Sequence, residues 1–369
     1  MFNKDTLRKR VKNFQESMRK AGIEASNIRT LSSFTYFAGI KWLRPSLMIP
    51  TEGEPTAFII EQEAEEFLSK TWIKDVITYR RVEELMRGII GWIRDHGYKV
   101  VGFDYSVERD SYVAFFELFK TLNPNIEVRN VHGMIMDLRM IKDYDEIEAI
   151  RKASEIAEKG LEKALNSISI GNSELSIAAE AIYFMMKAGS ESPHVYVNAG
   201  PKPRAHAEPR NDVKVKNNSA VSVVVSADYM GYNSNITRTV FIGKVSEEAK
   251  KTHEALLTAY NEAKDVVRPG VKFIDVENRI KKIFEKYDYE KYYLTGFAHG
   301  VGLMVEEDPI TTILSVQRQY KVFENMVLAF IHAPLMIPGI GSIKLEDTFL
   351  VKSDGVEPLT KYKCESFSL

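Results

Sequence analysis

Cysteine is almost absent: the chain carries one in 369 residues, Cys364. A lone thiol excludes an internal disulfide and a thiolate metal cage, and it suits a reducing compartment, so a cytoplasmic location is expected. Charge of one sign is also missing, with Lys+Arg 50 against Asp+Glu 51. That balance gives no electrostatic footprint for nucleic acid or for a membrane surface as partner. No uninterrupted apolar stretch approaches the roughly 20 residues that a membrane span needs. Met1 leads into Lys4, Arg8, Lys9 and Arg10 without an apolar run behind them, so no secretory signal is expected. What remains is the composition of a globular chain, 44% hydrophobic and 27% charged. Its length exceeds one ordinary core and suits two domains.

Hydrophobic periodicity divides the chain near residues 130–140. Leu7, Val11, Phe14 and Met18 share one face of an opening helix that closes near Gly22. Strands are expected at 47–49, 57–60, 100–104 and 126–129, with helices at 62–69, 82–96 and 111–122 between and around them. Strands alternating with helices predict an α/β domain over 1–135. From Asp145 an amphipathic pattern continues to about Leu165, and a second helix begins on the cap Ser173. Strands follow at 194–198, 220–227 and 235–243. Ser246 opens another helix, Pro269-Gly270 ends it, and a further helix is expected over 272–287. The tail, 326–330 and 342–352, reads as strands about a Pro338-Gly339 turn. Helices then strands, repeated twice, predict an α+β domain with a curved antiparallel sheet over 136–369.

Two segments carry chemistry. Residues 223–239 (VVVSADYMGYNSNITRT) form a strand, a Gly-containing turn and a second strand. Residues 298–309 (AHGVGLMVEEDP) form a Gly-rich loop that holds a histidine and acidic residues. Three further segments, 34–39 (FTYFAG), 138–143 (LRMIKD) and 345–348 (LEDT), fall in order around them. Together they resemble the creatinase/prolidase/aminopeptidase P family. The resemblance implies an N-terminal α/β domain of creatinase/prolidase type, a C-terminal pita-bread domain, a dipeptide or other small-molecule substrate and a homodimer.

In metal-dependent members of that family two Asp, one His and two Glu bind a pair of divalent ions. By motif these places fall here on Val224, Asn235, His299, Ile331 or His332, and Glu346. Only His299 and Glu346 keep the family residue type. Valine offers no donor and asparagine one neutral oxygen, whereas two dications need several carboxylates. No metal cofactor is therefore expected, with a single atypical divalent ion on His299, Glu346, His332 and His206 as the alternative.

Loss of the metals does not end catalysis in this family, because creatinase cleaves a C–N bond with a histidine as acid and base. The segment 204–209 (RAHAEP) resembles the one that carries that histidine and nominates His206. His206, His299, Glu307 and Glu346 are the expected catalytic residues; His194, Arg204 and His332 are the expected substrate-binding ones. Gly300 and Gly302 are expected where the backbone needs positive φ or close approach, and Arg238 is expected to form a structural salt bridge. Two functions stay open. One is a hydrolase acting on a C–N bond of a small substrate; the other is a non-catalytic binding protein of the same fold.

Overall fold

The computed structural model describes residues 2–44, 46–106, 108, 110–205, 207–244, 246–331, 333–364 and 367–368. The chain packs as two units, Met1–Arg139 and Met140–Leu369.

The first unit runs α1 (Lys4–Lys20), β1 (Ala25–Ile28), α2 (Leu31–Ala38), β2 (Leu47–Pro50), β3 (Thr56–Ile60), α3 (Ala64–Lys70), β4 (Asp75–Tyr79), α4 (Val82–Asp95), β5 (Val100–Phe103), α5 (Asp110–Leu122), β6 (Glu127–Asn130) and α6 (His132–Met140). Its six strands make one sheet in the order β4-β3-β2-β1-β5-β6. The middle pairs β1/β2 and β2/β3 are antiparallel, and the outer pairs are parallel. The expected strands and helices all form, while β1, α2, β4 and α6 are additions to them. Asn3 caps α1 by accepting from Asp5 N, and Gly22 takes φ 66 just beyond its end.

The second unit opens with α7 (Tyr144–Asn166) and α8 (Glu174–Lys187). A capping box starts α7: Asp143 accepts from Glu146 N, and the Glu146 side chain accepts from Asp143 N. Ser173 caps α8 through Ser176 N. Next come β7 (His194–Ala199), β8 (Ser219–Tyr229) and β9 (Tyr232–Ile242), an antiparallel trio. Tyr229 pairs with Tyr232, and the two residues between them, Met230 and Gly231, have φ 53 and 84. Positive φ at both positions is the two-residue hairpin turn whose twist matches that of the strands.

Side chains alternate across this hairpin. Val221, Val223, Val225 and Ala227 of β8, with Ile236 and Val240 of β9, pack in one core with α7 and α8. Ser222, Val224, Ser226 and Asn235 take the other face. Two long helices follow, α9 (Glu247–Val266), capped by Ser246, and α10 (Phe273–Lys286). Short strands complete the unit: β10 (Ala298–Gly300), β11 (Glu307–Ile310), β12 (Val327–Phe330), β13 (Leu335–Ile337), β14 (Gly341–Ile343), β15 (Asp347–Val351), β16 (Val356–Pro358) and β17 (Phe367–Ser368).

Two sheets result, β17-β9-β8-β7 and β11-β10-β12-β15-β16, with β13-β14 as a separate pair. A backbone bridge joins them: Thr237 N donates to Glu346 O at 3.0 Å, and Glu346 N donates to Thr237 O at 3.2 Å. It sets Glu346 against the hairpin. The unit is α+β as expected, and its sheets are antiparallel except where β17 runs parallel to β9. Among the described residues no helix is long and apolar enough to cross a membrane.

Candidate active site

A cavity of about 420 Å³ opens on the hairpin's polar face. Ser222, Val224, Ser226 and Asn235 form one wall. Register explains the grouping. Val224 pairs with Thr237 and Ser226 with Asn235, so Val224 and Asn235 are diagonal neighbours on one face. Strand β7 adds His194, Tyr196 and Asn198, opposite Ser226, Val224 and Ser222. The far side carries Lys344 and Glu346, and the rim holds Leu294, Glu306, Ile313 and Arg318.

Glu346 is the centre of the polar network. Its Oε2 accepts from Thr237 Oγ1 at 2.7 Å and lies 2.9 Å from Lys344 Nζ. Its Oε1 lies 3.5 Å from His299 Nε2. His299 is fully buried, and its Nδ1 sits 2.9 Å from Gly300 O. A carbonyl only accepts, so Nδ1 carries a proton and Nε2 is the atom turned to the carboxylate. His299 thus stands behind Glu346, which itself lines the cavity.

Four buried polar atoms on the cavity wall have no hydrogen-bond partner among the described residues: His194 Nε2, Ser226 Oγ, Asn235 Oδ1 and Thr312 Oγ1. An unmatched buried polar atom costs about 1–3 kcal/mol, so four in the residues around one cavity set this wall apart from an ordinary packed core. Burial raises the Tyr196 phenol pKa above its usual value, and Glu208 and Glu306 add in the same sense. Tyr196 is therefore a neutral wall residue at physiological pH.

The other expected residues are placed differently. Arg204 lines the cavity, but its Nη2 donates to Glu174 and to Val197 O, and its Nη1 to Glu208 O at 3.0 Å. That guanidinium braces the wall. Glu307 is 3% exposed, pairs with Lys142 Nζ at 2.9 Å and packs against Gly302. It sits outside the cavity, because consecutive residues of an extended segment point opposite ways, and Glu306 faces inward instead. His206 and His332 lie outside the described residues. Arg238 forms the expected salt bridge, with Nη2 at 3.0 Å from both carboxylate oxygens of Asp347. Gly300 and Gly302 follow the close-approach expectation: a Cβ would stand 2.4 Å from Asp308 O at the first and 2.2 Å from Glu307 Oε1 at the second.

Sequence reasoning missed Lys344 and Arg318. Arg318 donates Nε to Thr311 O and Nη2 to Thr312 O, and its Nη1 has no partner among the described residues. Neither belongs to a motif, though Lys344 is two residues before Glu346, the spacing that puts two extended residues on one face.

A pair of divalent ions, as the metal-dependent members of the resembled family bind, needs several anionic donors. Val224 presents methyl groups, Asn235 a neutral oxygen, and Ile331 is packed in the hydrophobic core. Glu346 already holds an ammonium. Among the described residues no group of three or more His, Cys, Asp or Glu could hold a metal ion. The described residues do not fit two divalent ions.

Comparison with known proteins agrees with the architecture. Residues 148–353 match the model of metallopeptidase family M24, and residues 10–141 match the creatinase/prolidase N-terminal domain. The Xaa-Pro dipeptidase of Pyrococcus horikoshii is 30% identical over 98% of this chain and 99% of its own length. That of Pyrococcus furiosus is 27% identical over 97% and 99%. The crystal structure of the prolidase from Pyrococcus horikoshii superposes with a TM-score of 0.85 at 29% identity, covering 96% of this chain and 99% of that one. A prolidase from Thermococcus sibiricus gives 0.88 at 25% identity, with both chains covered completely. Matches of this extent to both domains, in order and over the whole chain, make the protein a member of metallopeptidase family M24 that carries a creatinase/prolidase N-terminal domain.

Proposed function

We propose that this chain is a hydrolase that cleaves the C–N bond of a dipeptide-sized substrate in the cavity at Glu346, without a pair of divalent ions. The observation that carries the reading is convergence. One cavity of about 420 Å³ is lined by the Glu346 carboxylate and by His194, Ser226, Asn235 and Thr312, each of which has a buried polar atom without a partner among the described residues. Enclosed pockets with a few convergent polar groups are where small ligands bind. Membership of a peptidase family supplies the reaction class, and relatives named Xaa-Pro dipeptidase make Xaa-Pro dipeptides the first substrates to try.

In this reading Glu346 takes the proton of an attacking water and shares it with His299 Nε2 behind it. Glu346 returns that proton to the leaving nitrogen as the C–N bond breaks, so that acid and amine products leave with the pair restored. The Lys344 ammonium favours negative charge developing on the carbonyl oxygen. Arg318 Nη1 suits a substrate carboxylate, and Leu294 and Ile313 give the rim an apolar side. His206 and His332 stay in the proposal as proton-transfer and substrate-binding residues. The homodimer and the cytoplasmic location are also part of it, and light scattering and cell fractionation test them.

The experiment is hydrolysis of a panel of Xaa-Pro dipeptides and guanidino compounds, with chelator and with added manganese, cobalt or zinc. Turnover indifferent to chelator and lost in Glu346→Gln is the expected result. Turnover that chelator abolishes and metal restores contradicts it. Saturable dipeptide binding with no turnover under any condition moves the reading to the binding protein.

A further inference from the structure

We propose that the Lys344 ammonium takes the place of the divalent ions in this site, so that the cavity carries its own cation and takes up no metal. The inference rests on reading this cavity as the site of action, yet it concerns how the site is charged and can hold or fail apart from turnover.

Geometry delivers the ammonium to the carboxylate. Lys344 N donates to Thr239 Oγ1 at 2.9 Å, and Thr239 Oγ1 also lies 2.9 Å from Lys344 O. Glu346 exchanges both of its backbone hydrogen bonds with Thr237. Residues 344 and 346 therefore run beside residues 239 and 237 of β9 as an extended pair, and both side chains project to the cavity face. The ammonium and the carboxylate meet at 2.9 Å with side-chain exposures of 10% and 1%. Register holds them together.

Charge then decides what else fits. One ammonium balances one carboxylate, so the buried pair is neutral. A divalent ion bonded to Glu346 Oε2 would meet Lys344 Nζ and Thr237 Oγ1 on the same oxygen. It would stand beside a fixed positive charge, in a site of reduced dielectric where like charges repel strongly. The two aspartate positions of the family, which would offset that charge, are Val224 and Asn235. Valine and asparagine at those places leave few anions for a dication, and the ammonium already beside Glu346 meets the charge of that carboxylate.

The test is metal uptake by the full chain. Chelator-treated protein is dialysed against manganese, cobalt or zinc; metal is counted by mass spectrometry, and the thermal midpoint is read with and without each ion. No stoichiometric metal and an unchanged midpoint are expected. Stoichiometric uptake that Glu346→Gln abolishes, or a midpoint raised by any of the three ions, overturns the proposal. The second arm uses Lys344→Ala. Its midpoint should fall and be restored by ethylammonium chloride, which can occupy the vacated space, but not by choline chloride at equal ionic strength. A Lys344→Ala chain as stable as the wild type overturns the proposal as well. If that variant does not fold, the wild-type metal count still decides. Absence of hydrolysis together with absence of metal uptake refutes the proposed reaction and leaves this inference standing.

Discussion

Replacing Arg238 by methionine should destabilise the second unit severely, because the guanidinium answers several buried acceptors at once. Arg238 and Asp347 have side-chain exposures of 2% and 1%. Beyond its two bonds to Asp347, the guanidinium donates to Thr237 O at 2.8 Å, Glu346 O at 2.9 Å and Lys363 O at 2.7 Å, and also to Tyr362 O. It therefore fastens the seam between the sheets and the C-terminal segment to one point. Removing one partner of a buried ion pair costs about 3–5 kcal/mol. For a unit of this size each kcal/mol moves the midpoint by about 2–4 °C, so the expected fall is roughly 6–20 °C.

The sign of the pH dependence is fixed by Asp347. Burial raises its pKa, with Arg238 pulling the other way, and without Arg238 it rises further. The folded state then binds the proton more tightly than the unfolded chain. The deficit is therefore largest near about pH 7 and shrinks as acid protonates the buried carboxyl. Thermal unfolding followed by circular dichroism, repeated across pH, is the assay. The double variant Arg238→Met/Asp347→Leu should recover much of the loss, since an apolar pair leaves no stranded charge. An Arg238→Met midpoint within about 1 kcal/mol of wild type would refute the reasoning.

Two further outcomes follow from the site's surroundings. Glu277 is 1% exposed; it accepts from Phe297 N at 2.8 Å and Gly296 N at 3.2 Å, while its Oε1 has no partner among the described residues. Burial raises its pKa, so its contribution is present in acid and lost as pH rises through the folded value; Glu277→Gln should gain on wild type in thermal midpoint between about pH 5 and about pH 8. Gly300→Ala would set a Cβ 2.4 Å from Asp308 O and 2.7 Å from Glu307 O, both backbone atoms with little room to give. A loss on the order of 1–3 kcal/mol is expected in urea unfolding, and a neutral substitution would show that the β10–β11 contact is looser than described.

Much of the fold was legible because its helices announce their ends. The Asp143/Glu146 box and the caps Ser173 and Ser246 begin α7, α8 and α9 close to where the sequence places them. Segments buried on every side were not legible. Strand β1 is buried at all four positions, and α2 at every position from Ser32 to Ala38, so neither shows a polar face for a period to register. Strands β10 and β11, of three and four residues in a Gly-rich stretch, are too short to alternate visibly. At the site, Glu346 and His299 could be read from motifs. Motif order could not tell which of Glu306 and Glu307 turns inward, because Lys142 settles that from well over a hundred residues away. Lysine is usually a solvated residue, so Lys344 gave no signal until its carboxylate was placed beside it.

We propose that this M24 chain keeps the family frame while the described residues of its site leave no place for a pair of divalent ions. Anomalous diffraction at the manganese edge from crystals soaked in millimolar manganese chloride tests it most directly. No anomalous peak is expected beside Glu346 and His299, with the Lys344 ammonium in contact with the Glu346 carboxylate. Two peaks bridged by Glu346, with Lys344 swung away, would contradict it.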